Sequence, residues 1–145
     1  MLKKFKLFIV ISLFLNIFNQ ANANDSFFKE GEKKFNEKKI KDSKFLFQRS
    51  IVFNPKNAKS YLYLAKIYNT EENQIKELKN LKTTLLLDPN NEEAMDMLIE
   101  IELEKSNYSR VKELIQNFKV ICKELCEKNK LFDEKLKNIE PKNES

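Results

Sequence analysis

Apolar side chains recur three or four residues apart in short blocks along most of the chain. Tyr61, Leu64, Ala65 and Tyr68 form one block, and Leu78, Leu81 and Leu85 another; this spacing places residues on one face of an α-helix. Such blocks predict helices near 26–38, 41–53, 58–70, 74–87, 92–105 and 108–121. A seventh, near 126–138, carries Phe132, Leu136 and Ile139 on one face. Pro55 and Pro89 cannot continue a helix, and each pushes the residue before it out of the helical region. Asn57 and Asn91 then stand where the next helix needs an N-cap, and Glu92 and Glu93 suit the positive end of its dipole. The expected fold class is all-α.

The blocks share a register. Asn54-Pro55 and Asp88-Pro89 lie 34 residues apart, and the same step aligns Phe27 with Tyr61 and Met95, and Gly31 with Ala65 and Ile99. It also aligns Leu64 with Leu98, Phe47 with Leu81 and Ile115, and Ser50 with Thr84 and Phe118. A plain helix bundle would give no reason for such a register, and the prolines interrupt the sustained heptads of a coiled coil. Two helices in a 34-residue unit resemble the tetratricopeptide (TPR) repeat. Residues 58–91 match best, with Tyr61, Leu64, Ala65, Tyr68, Leu81 and Pro89 in the family's slots. Residues 24–57 keep Phe27, Gly31, Phe47 and Pro55, whereas in 92–125 Glu102 replaces the second aromatic residue and Lys123 the proline. The resemblance implies stacked antiparallel hairpins over 24–139: three units, then a capping helix at about 126–138 that covers the open end of the last unit. The tail 140–145 is polar and is expected to be disordered.

The resemblance also implies where a partner would sit. The first helix of each TPR unit lines a concave groove that holds a peptide or another protein. Here that gives Phe28 and Phe35, then Lys59, Leu62, Lys66 and Asn69, then Asp96, Glu100 and Leu103. Leu62, Lys66 and Asn69 share a helix face distinct from that of Tyr61, Leu64 and Tyr68. The groove would run from apolar through basic to acidic. Phe28 and Phe35 are equally readable as core, and Lys66 and Glu100 as a solvated face. The TPR proteins that hold the C-terminal carboxylate of chaperones use Lys and Asn where this chain has Phe28 and Glu32, so that activity is not expected.

Cys122 and Cys126 fall at the turn between the sixth and seventh predicted helices. A disulfide there would fasten the cap where the closing proline is missing; two buried thiols are the alternative, and redox or metal chemistry a third. The spacing is CxxxC rather than CxxC, and no His is present to complete a metal site.

The first residues read as an export signal. Lys3, Lys4 and Lys6 precede a twelve-residue apolar run, Leu7 to Phe18, and Ala21-Asn22-Ala23 supplies the small residues of a cleavage site. Twelve helical residues span roughly 18 Å, short of a hydrocarbon core of about 30 Å. Cleavage after Ala23 leaves no membrane span and places the protein in the periplasm or outside the cell. It also removes three lysines and no acid, taking the net charge from +5 to +2. Of the basic residues that remain, only Arg49 and Arg110 are arginines, so the composition does not point to nucleic acid.

The absence of His and the single Gly remove Ser-His and Cys-His catalysis and glycine-rich phosphate loops. No enzyme activity and no cofactor are expected. The expected function is an exported scaffold or adaptor that binds a segment of a partner protein. The alternative is a self-associating module of an envelope assembly, a homo-oligomer paired through Phe27, Phe28 and Phe35.

Overall fold

The computed structural model describes residues 26–140, so the expected signal segment, its expected cut after Ala23 and the tail beyond Glu140 lie outside the described residues. Seven helices and no strand are present among them: α1 (26–36), α2 (Ile40–Phe53), α3 (Ala58–Thr70), α4 (Gln74–Leu87), α5 (Glu92–Glu104), α6 (Tyr108–Ile121) and α7 (Lys128–Asn138). From α2 to α7, each helix packs against the next in the chain.

The 34-residue register is written into the turns. Lys38, Glu72 and Ser106, each 34 apart, hold the left-handed conformation with φ of 60°, 53° and 51°. Each ends the first helix of a unit. The N–H of the following residue then reaches back to the last turn, from Lys39 to Lys34, Asn73 to Tyr68 and Asn107 to Glu102, as in a Schellman closure. The left-handed residue at Lys38 is why α1 stops at 36. Asn57, Asn73, Asn91 and Asn107 cap α3 to α6 by accepting a hydrogen bond from the third residue on. Lys39, at the start of α2, makes no such bond.

Two apolar clusters fill the stack. Phe28, Phe47, Leu64, Ile67 and Tyr68 form the first, between α1, α2 and α3. The second is built on Leu62, Ala65 and Leu81 and continues through α5 and α6 to Phe132 of α7. Helix α3 therefore contributes to both. Phe132 is the buried anchor of α7 and meets Phe118 edge to face at 5.3 Å.

The predicted seventh helix begins two residues late, at Lys128. Cys122 caps α6 in an extended conformation, and the 123–125 segment then wraps around the side chain of Glu92. Glu92 accepts hydrogen bonds from the backbone N–H groups of Lys123, Glu124 and Leu125 at 2.7, 3.0 and 2.9 Å. The sulfurs of Cys122 and Cys126 stand 2.16 Å apart across the same turn, with 5.2 Å between Cα atoms. This turn does for the third unit what Pro55 and Pro89 do for the first two.

Candidate partner-binding groove

The odd-numbered helices lie side by side, and polar pairs link each to the next. Tyr63 of α3 donates its hydroxyl to Glu32 of α1 at 3.0 Å. Lys66 of α3 pairs with Glu93 of α5 at 2.7 Å. Asp96 and Glu100 of α5 pair with Lys128 and Lys135 of α7. Burial and the bond to Glu32 push the Tyr63 phenol up to about 12, so it remains a donor at any ordinary pH.

This ladder changes the reading of the expected groove residues. Phe28 is a core side chain, tilted against Phe47 and edge-on to Tyr63. Phe35 is half-buried with its edge on Tyr63 at 5.2 Å. Leu62 is buried in the second cluster and reaches the surface only at the wall of a cleft. A helix with neighbours on both sides buries more than one stripe, so a face distinct from Tyr61, Leu64 and Tyr68 need not be open. Asp96 is also buried. Its Oδ2 meets Lys128, while Oδ1 has no hydrogen-bond partner among the described residues. Lys66 and Glu100 are half-buried and neutralised by their neighbours. Lys59 and Asn69 are exposed, and Asn69 donates to the buried Glu77 at 3.0 Å. Leu103 is half-buried in a cleft of about 290 Å³ that it shares with Lys135 and Ile139.

What remains open is a cleft of about 430 Å³ between α3, the start of α5 and the 124–128 turn. Leu62 and Leu125 give it apolar surface, and it is bordered by the carboxylates of Glu93, paired with Lys66, of Asp96, paired with Lys128, and of Glu124. Sequence reasoning missed Glu92, Glu124 and Lys128, because their place depends on the path of the chain after α6. Glu92 is held by the turn: the N–H of Leu125, then those of Glu124 and Lys123, keep its carboxyl below the usual range. Among the described residues no group of three His, Cys, Asp or Glu side chains could hold a metal ion, and no helix is long and apolar enough to cross a membrane.

No family model and no curated protein matches the chain. Solved structures do. The Arabidopsis OM64 TPR domain superposes with a TM-score of 0.70 at 15% identity, over 82% of this chain and 98% of that one. The fold is a TPR-like solenoid. The second TPR domain of human RPAP3, in complex with the HSP70 peptide SGPTIEEVD, gives 0.65 at 18% identity over 85% and 99%. The TPR2B domain of yeast Sti1, in a complex with Hsp70, gives 0.65 at 13% over 81% and 95%. At these identities the likeness concerns the fold alone.

Proposed function

We propose that this protein is an exported, non-catalytic scaffold that holds a segment of a partner protein on the face formed by its odd-numbered helices. The observation that carries this reading is the cleft at Leu62, Glu93, Asp96, Glu124 and Leu125, which is open, part apolar and rich in carboxylate. It suits a segment that sets an apolar side chain against Leu62 and Leu125 and a Lys or Arg among the acids. The human RPAP3 domain was solved with a peptide that ends in Glu-Glu-Val-Asp; an acidic tail of that kind would meet repulsion here.

Export is supported by the basic and apolar start of the chain, by Ala21-Asn22-Ala23, and by two cysteines whose sulfurs are at bonding distance. N-terminal sequencing of the protein from an envelope fraction tests it: Asn24 is expected, and Met1 overturns the cleavage.

The binding reading is tested on an array of peptides with basic, neutral and acidic anchors. Peptides that pair an apolar residue with Lys or Arg are expected to bind, and Glu124→Lys, at an exposed side chain outside the ion-pair ladder, is expected to weaken binding sharply without changing the melting temperature. Equal binding by both proteins overturns the assignment of the cleft.

A further inference from the structure

We propose that the outer face of α2 and α4 is a peripheral docking surface for an anionic lipid bilayer. The second helix of each unit ends on an apolar side chain that points into solvent: Val52, Leu86 and Val120, 34 residues apart, are 74%, 80% and 85% exposed. On α4 the same helical row continues through Lys82 and Lys79 to Ile75, itself 85% exposed. These positions are spaced four, three and four residues apart, so they lie along one face. On α2 the equivalent row runs from Val52 through Gln48 to Phe45 and Lys41, with Arg49 beside it. Repeat symmetry turns the two rows to the same side of the stack.

The chemistry of the face selects its occupant. Lys41, Lys79 and Lys82 are exposed and make no ion pair among the described residues. The one carboxylate of α4, Glu77, is buried inside the stack, which leaves Asp42 as the acid exposed on α2. A second copy laid on this surface would set lysine against lysine. An anionic bilayer is complementary: it accepts separate apolar side chains at the headgroup boundary while the lysines reach the phosphates. The two clefts described above lie elsewhere, and a third of about 320 Å³, lined by Leu85, Met95, Val120 and Ile121, includes none of the row residues of α2 and α4.

The first turn of α1 adds aromatic surface beside the end of α2. Phe27, the second described residue, stacks on Phe53 at 5.3 Å, and the Arg49 guanidinium lies 5.0 Å from the Phe27 ring.

The chain contains no tryptophan, so Leu86→Trp in the full chain reports on this face alone, whatever the N-terminal run does. Vesicles of equal parts phosphatidylglycerol and phosphatidylcholine, with brominated acyl chains, are expected to shift its emission to the blue and quench it. Lys59→Trp, on α3, is expected to stay unquenched. Adding Lys79→Gln/Lys82→Gln to Leu86→Trp should raise the lipid concentration for half-maximal quenching roughly 30-fold, at about 1 kcal/mol for each lysine. Equal quenching at positions 86 and 59, or none at 86, overturns the proposal. So does a lipid-independent shift that grows with protein concentration, which would mean a second copy. A shift produced by an acidic polypeptide and not by vesicles would also overturn it.

Discussion

Gly31 and Phe47 are matched in size: a Cβ added to Gly31 would stand 2.8 Å from Cε1 of the Phe47 ring. The matching follows the repeat. Where the first unit sets Gly31 with Phe47, the second has Ala65 with Leu81 and the third Ile99 with Ile115, so an aromatic ring stands only where the first residue is glycine. All but Gly31 of these are fully buried, and Gly31 is buried as well. Gly31→Ala gains about 1 kcal/mol of helix propensity but overpacks a closed site, at about 1–3 kcal/mol. A net loss is expected in urea denaturation. Gly31→Ala/Phe47→Leu, which recreates the pair of the second unit, should cost less than the sum of the two single changes. Additive costs would mean that the two positions do not share volume.

The turns between the helices of a unit make a second comparison inside one molecule. Lys39, Asn73 and Asn107 hold nearly the same backbone, with φ, ψ of −84°, 67°, then −98°, 72° and −84°, 75°. Two of them cap the helix that follows and Lys39 does not. Lys39→Asn is expected to raise stability by about 1 kcal/mol, which a thermal melt would read as a rise of a few degrees. The Glu37–Lys39 ion pair that it removes is exposed and offsets little. No change in melting temperature would mean that the new amide does not reach the N–H of Asp42.

Glu77 sets a pH dependence of opposite sign to that of most surface acids. Burial pushes its carboxyl up, Asn69 pulls it down by donating a hydrogen bond, and Glu104 raises it again; the net direction is upward. The folded protein therefore holds a proton that the unfolded chain has lost, and stability falls as pH rises from the unfolded value through the folded one. Glu77→Gln keeps an acceptor for Asn69 and removes the titration. It is expected to stabilise the protein at neutral pH, with the gain disappearing in acid below the ordinary carboxyl range. A gain that persists unchanged in acid would assign the effect to packing.

The repeat made most of the fold legible. Each turn is governed by residues close in sequence, so Asn57, Asn91, Pro55 and Pro89 marked helix boundaries that the structure reproduces. Helical spacing groups the expected groove residues on one face but does not give their contacts. Lys66 with Glu93, Asp96 with Lys128 and Glu100 with Lys135 pair across neighbouring units at separations of 27, 32 and 35 residues. No fixed step predicts them, since long side chains choose partners by reach. The burial of Leu62 is illegible for a related reason: it depends on α5 and on the second cluster, not on its own helix. Glu92 looked like a helix-dipole residue until the 123–125 segment was seen to fold over it.

That segment supports a last prediction, about how α7 is held. Its only buried side chain is Phe132, so its connection to α6 carries an unusual share of its docking. The disulfide closes a short loop, with a sequence separation of four, and chain-entropy reasoning gives it about 2 kcal/mol. Glu92 holds the same loop through three backbone N–H groups, and its lowered carboxyl means that this support is present above the unfolded value and is lost as pH falls through the folded one. Hydrogen exchange of the α7 amides reads both effects. Cys122→Ser/Cys126→Ser should speed exchange in α7 while leaving α3 and α4 unchanged, because hairpins in a stack depend on their nearest neighbours. Glu92→Gln should do the same at neutral pH, and in acid, where the wild-type carboxylate is protonated, the two proteins should exchange alike. Because both changes loosen one turn, their combination should cost less than the sum. If Cys122→Ser/Cys126→Ser speeds exchange throughout the chain, the turn is part of the whole stack's cooperativity and α7 is not a separately held cap.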